Sequence, residues 1–99
     1  MGVFLDGKVS CVIGSHTHVP TADAHILAGG TAYQTDAGMC GDYDSIIGFE
    51  PKGPMQNFLQ KFRKVRMEPA KGTGTLCGAI VTLNPKGLAT AIEPVQLRA

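Results

Sequence analysis

An apolar, β-rich run, Lys8-Val9-Ser10-Cys11-Val12-Ile13, gives way at Gly14 to Ser15-His16-Thr17-His18-Val19-Pro20. A continuous apolar run of this length reads as a central strand covered on both faces. Gly14 ends it and permits a close backbone approach. Two imidazoles, His16 and His18, then stand where the strand runs out. In an extended segment, residues i and i+2 share a face and lie roughly 6.5–7 Å apart. Such rings can converge on one metal ion, or each hold one member of a pair about 3.5–4 Å apart. Pro20 biases the residues before it toward extended geometry.

The rest of the chain reads as scaffold around that loop. Its 99 residues, 13 of them Gly and 6 Pro, fit one turn-rich domain with a thin core. Residues 1–7 read as the end of a helix stopped at Gly7, with Met1, Gly2, Phe4 and Leu5 facing inward. His25-Ile26-Leu27 and Thr31-Ala32-Tyr33-Gln34-Thr35 flank Ala28-Gly29-Gly30, the pattern of a β-hairpin. Residues 36–44 are irregular and acidic, and 45–49 form a short apolar turn or helix start. Pro54 opens the clearest helix, with Met55, Phe58, Leu59 and Phe62 at i, i+3, i+4 and i+7, a stripe that reads as core. Lys61, Arg63, Lys64 and Arg66 read as a solvated basic face favoured by the helix dipole. Val65 to Glu68 alternates like a strand. Residues 75–83 read as a buried strand with Gly78 marking a bulge or close neighbour, Asn84-Pro85-Lys86-Gly87 as a turn, and Leu88 to Ile92 as the antiparallel return.

A net charge of +1 carries no basic stripe for nucleic acid or anionic membrane. No stretch approaches the length of a membrane-spanning helix, and residues 1–8 lack the plan of a secretory leader. Cys11, Cys40 and Cys77 are odd in number and widely spaced, so they form neither a disulfide framework nor a zinc knuckle. A reducing cytoplasm is the expected setting.

A bare His-x-His is a weak metal signal; the strand before it and Gly14 strengthen it, because α/β sheets build sites at the carboxyl ends of their strands. Imidazole suits Zn, Mn or Fe. Two histidines do not complete a catalytic set, which needs about three protein ligands and an open position. His25 is a possible third but reads as solvent-facing on its hairpin strand. Asp23, Asp36, Asp42 and Asp44 can offer oxygens, although loop aspartates more often make turns. Ser15 lacks the elbow of a serine hydrolase. Cys40, beside Asp42, would need a basic histidine to act as a nucleophile.

Three segments together carry a longer motif: Gly14 to Ala24, Gly29 to Met39, and Tyr43 to Gly48. Over nearly the whole chain this run resembles the YmdB-like family of bacterial calcineurin-type metallophosphoesterases, among them 2′,3′-cyclic-nucleotide 2′-phosphodiesterases. Many members have Thr-Gly-Pro where this chain has Cys40-Gly41-Asp42. The resemblance implies an α/β fold: the C-terminal part of a four-layer α/β sandwich, with a mixed sheet, β-hairpins and one amphipathic helix. It implies that His16 and His18 are the last metal-ligand block of a dinuclear centre of divalent or mixed-valence Mn, Fe or Zn, with Asp36 supporting them from behind. A metal-activated water would attack phosphorus in a phosphoester, such as a cyclic nucleotide.

Family members are more than twice as long, and their other ligands (an Asp, a Glu, Asn residues and a further His) lie in segments with no counterpart here. Residues 1–99 are therefore expected to form a single partial domain, inactive alone, that self-associates or pairs with an N-terminal segment. Two other readings stay open. One is a non-catalytic fragment serving oligomerisation or partner binding; the other is a simple metal-binding module using His16, His18 and His25 or Asp23.

Overall fold

The computed structural model describes residues 1–60 and 65–98. The elements are α1 (Gly2–Leu5), β1 (Cys11–Ile13), β2 (His25–Ile26), β3 (Ala32–Gln34), α2 (Lys52–Leu59), β4 (Thr75–Leu83) and β5 (Ala89–Arg98). The architecture is mixed α/β. Strands β1, β3 and β2 form one sheet in that order, and β4 and β5 form a second.

The expected hairpin is present. β2 runs antiparallel to β3 with His25 opposite Tyr33 and Ile26 opposite Ala32. Its loop closes through Leu27 N–H to the Thr31 carbonyl at 2.8 Å, and Gly30 takes φ +99°, a value glycine adopts freely. Asp6 steadies the loop by accepting the Gly29 N–H at 2.7 Å. β1 lies parallel to β3, pairing Cys11 with Ala32 and Ile13 with Gln34. It is thus the edge of the sheet, not the centre: β3, hydrogen-bonded on both sides, takes the interior place. Ile13 is exposed accordingly.

The glycine after β1 has a steric reason. A Cβ on Gly14 would lie 2.1 Å from the Thr35 carbonyl oxygen. The backbone there is held by Gly14 N–H to the Gln34 carbonyl and by Ala37 N–H to the Gly14 carbonyl. Gly2 is buried for a similar reason, since a Cβ would meet the Tyr33 ring at 2.5 Å. Of the other residues expected to face inward, Leu5 is half-buried and the rest are not covered. Met1 and Phe4 are exposed, and Phe4 lies beneath the Lys8 ammonium, 4.6 Å from its ring centre.

β4 matches its expected bounds, and Asn84 shapes the turn after it by accepting the Lys86 and Leu88 N–H groups on Oδ1. Strand β5 runs on to Arg98, beyond the expected end at Ile92. Only one face of β4 is covered: Thr75 and Cys77 are buried while Leu76 and Ile80 are exposed. Gly78 has open space around it, and the register irregularity falls between Thr82 and Leu83. β5 packs across β2 and β3, fastened by Ala89 N–H to the Gly30 carbonyl. Residues 65–68 are not a strand; their backbone bonds to earlier segments, with Glu50 N–H on the Glu68 carbonyl and Val65 N–H on Asn57 Oδ1.

The largest correction concerns α2. Its stripe is not core: Met55, Phe58 and Leu59 are 53%, 90% and 74% exposed. Periodicity identifies an apolar face, but covering it takes a second surface, and none of the described residues supplies one. With Ile46 and Pro54 these side chains line an open apolar groove. Phe62 and the cations Lys61, Arg63 and Lys64 lie outside the described residues; Arg66 is exposed and paired with Glu68.

What is enclosed is mostly polar. Gln34, Thr31 and Asp36 are the largest fully buried side chains, beside Ala32, Cys77 and Ala89. Thr31 links three segments, accepting the Gly7 N–H and donating to the Val9 carbonyl. Gln34 donates to the Thr21 carbonyl, while its buried Oε1 has no partner among the described residues.

Gly14→Ala is expected to force β1 and β3 apart and to cost about 3 kcal/mol, the upper end of ordinary overpacking. A lowered urea midpoint with an unchanged slope would register it; a midpoint equal to that of the parent chain would refute the close-approach argument.

Candidate metal centre

After β1 the chain does not stay extended. His16 and Thr17 turn their backbone N–H groups onto the Oδ2 atom of Asp36, at 2.7 and 2.6 Å, and the Thr17 hydroxyl joins them at 2.8 Å. The other carboxylate oxygen accepts the Gly38 N–H at 2.8 Å. Asp36 is buried, and these four donors hold its carboxyl well below the usual carboxylate range. The Gly38 N–H contributes most, then the His16 N–H, against the opposing effect of burial. A loop wrapped around an anion in this way is bent, which overturns the expectation that extended geometry puts both rings on one face.

His18 takes φ +70°, so Pro20 does not keep it extended. Its Nδ1 lies 2.8 Å from the main-chain carbonyl oxygen of Ile47. Ile47 belongs to a tight two-residue turn closed by reciprocal Ile46–Phe49 hydrogen bonds of 3.0 and 2.9 Å. Both central residues have positive φ, +44° at Ile47 and +94° at Gly48. Gly48 suits such a turn; a β-branched residue there costs about 1–3 kcal/mol. Ser45 braces it by accepting the Gly48 N–H on Oγ.

His16 is exposed and His18 half-buried. His25 is engaged elsewhere: its Nδ1 meets the Asp23 carbonyl and its ring stands edge-on to Tyr33, 6.0 Å between centres. Asp23 serves its own loop, accepting from the hydroxyls of Thr21 and Thr35, Thr21 foremost, which pull its carboxyl down to about 2. Asp42 accepts the Asp44 and Gly72 N–H groups and so ties residue 72 to the acidic loop. Cys40 donates to the Cys77 carbonyl, and the Tyr43 hydroxyl sits between the Met39 backbone and the Cys77 thiol.

No group of three or more His, Cys, Asp or Glu among the described residues is arranged to hold a metal. What the described residues place here is two imidazoles on a loop whose backbone is anchored by a carboxylate. The sequence marked His16, His18 and Asp36. It did not mark the Thr17 hydroxyl or the Ile47 carbonyl, because a main-chain acceptor has no residue type to betray it.

Depressed carboxyls stabilise the fold above their unfolded pKa of about 3.9 and lose that contribution as pH falls through the folded value. For Asp23 the loss falls between about pH 4 and pH 2; for Asp36 it extends further into acid. Asp36→Asn is therefore expected to flatten the decline of the denaturation midpoint below about pH 4, most clearly between about pH 4 and pH 2. An unaltered acid limb would contradict the four-donor assignment.

The family profile described as YmdB-like protein matches residues 1–95. A 2′,3′-cyclic-nucleotide 2′-phosphodiesterase of Bacillus subtilis is 43% identical over 84 residues, which is 85% of this chain and 31% of that protein. A structure of a hypothetical protein from Thermus thermophilus superposes over 98% of the chain and 38% of its own, at TM-score 0.85 and 39% identity. A novel phosphatase from Mycoplasma pneumoniae does so over 98% of the chain and 35% of its own, at TM-score 0.87 and 31% identity. The chain thus spans about a third of the length of these relatives. With the profile running almost end to end, this chain belongs to the YmdB-like protein family.

Proposed function

We propose that the chain takes part in metal-dependent hydrolysis of phosphoesters, with cyclic nucleotides the favoured class, and that it contributes His16 and His18 to a two-metal centre. The observation that carries this reading is the loop around Asp36: two imidazoles sit on backbone fixed by a buried carboxylate. The names of the relatives support the phosphoester class. Bound metals of the Mn, Fe or Zn type would lower the pKa of a water and neutralise charge on the phosphoryl oxygens.

In this reading each residue has a distinct task. His16 and His18 would hold the ions through their ring nitrogens. Asp36 fixes the loop through its own hydrogen bonds, so that the rings would need little reordering when a ligand arrives. Thr17 ties that anchor to the loop between the two histidines. The two imidazoles fall short of a catalytic ligand set, so the remaining ligands come from chain outside these residues, and the 99-residue chain alone turns over no phosphodiester. A reducing cytoplasm suits its three free thiols. No described helix is long and apolar enough to cross a membrane.

The test is a chimera in which this chain replaces the matching third of the Bacillus subtilis relative. With Mn²⁺ it is expected to hydrolyse 2′,3′-cyclic AMP, and His16→Ala or His18→Ala to lower kcat/KM at least about 100-fold. Asp36→Asn is expected to weaken Mn²⁺ binding by about 10–100-fold. A folded chimera whose activity survives both histidine substitutions would refute the assignment.

A further inference from the structure

We propose that Ile47 is a positioning residue for His18: its main-chain carbonyl keeps the proton of the neutral ring on Nδ1 and leaves the Nε2 lone pair available to a ligand. The first step is elementary. A carbonyl oxygen only accepts, so a ring nitrogen 2.8 Å from it carries the proton. In a neutral imidazole the other nitrogen then holds the lone pair.

The second step rests on where the backbone is strained. Among the described residues, the non-glycine residues at positive φ are His18, at +70°, and Ile47, at +44°. They are the two ends of this one hydrogen bond. A two-residue turn needs neither an isoleucine nor any β-branched side chain at that position; Asn or Gly would sit there more easily. Strain concentrated on both partners, in a turn braced by Ser45 and by the reciprocal Ile46–Phe49 pair, marks a contact that the surrounding structure imposes. Orientation of a ligating histidine through its second nitrogen is the general device by which tautomer and ring angle are set. Only the last clause, that the freed Nε2 meets a metal, depends on the function proposed above.

The test is the ring tautomer, read from histidine ¹⁵N shifts of the metal-free 99-residue chain at about pH 8.5, where imidazoles are neutral. His18 is expected as the Nδ1–H form. Ile47→Pro cannot hold positive φ and should shift His18 to a mixture rich in Nε2–H, while His25, bonded to the Asp23 carbonyl, keeps its own pattern and reports an intact fold. Ile47→Gly retains the carbonyl at the same φ and should retain Nδ1–H. Ser45→Ala, a milder change that removes the brace on Gly48 together with the Ser45 hydroxyl's bond to the Asp42 carbonyl, should shift the population part-way and serves if the proline variant does not fold. An Nε2–H ring in the parent chain overturns the proposal. So does a His18 pattern unmoved by both the proline and alanine changes, or one lost equally in the glycine variant. Mn²⁺ added to the ¹⁵N-histidine-labelled chimera, where the remaining ligands are present, separates the two readings: an Nδ1–H His18 ring that Mn²⁺ fails to broaden there upholds the positioning role and refutes the metal.

Discussion

The arrangement depends on one buried carboxylate. Asp36 receives hydrogen bonds from His16, Thr17 and Gly38, residues of the segments that follow the neighbouring strands β1 and β3. An ionised group enclosed without partners would cost several kcal/mol, so the contact is all or nothing: either the donors converge or the loop opens to water. That condition fixes the path of the chain after β1. It also explains why a histidine loop with few apolar contacts of its own keeps a defined shape. Glycine at position 14 is the companion requirement, since only a residue without a Cβ lets the strand end approach Thr35 closely enough for Asp36 to reach across.

Much of this was legible in residue types because it is local. The 25–35 hairpin announced itself through Gly29-Gly30 between two β-rich runs, and the 84–87 turn through Asn-Pro-Lys-Gly. Gly14 announced a close approach without naming its neighbour. The misreadings share one cause: partners distant in sequence. An apolar run such as 8–13 states that a strand forms, whereas its edge position depends on β3 pairing at separations near twenty residues. Helix α2 states which of its faces is apolar but not whether anything lies against it. The bent histidine loop followed from a carboxylate twenty residues on, and the Ile47 carbonyl from a turn further still.

The shape follows from the same scarcity of apolar contact. The chain measures 53 × 31 × 16 Å with a radius of gyration of 17.2 Å, against about 13 Å for a compact chain of this size. Phe58 and Leu59 on α2, with Leu76, Ile80 and Leu97 on the two-stranded sheet, leave apolar surface in water on more than one side. Surfaces of that kind ordinarily meet other surfaces. The histidine loop lies apart from them in composition: it is polar, hydrogen-bonded and organised by charge.

The polar identity of the enclosed side chains has a consequence for how this sequence can drift. In an oily interior, one hydrocarbon substitutes for another of similar size at modest cost. At Thr31, Gln34 and Asp36 no hydrocarbon of any volume does so, because each would strand the amides or carbonyls those groups now satisfy. A combinatorial library randomised at these three sites would accordingly return few viable clones, selected by donor and acceptor pattern instead of bulk. The heart of the chain is written in the grammar of hydrogen bonds, and a change there reads as a lost word, not a change of accent.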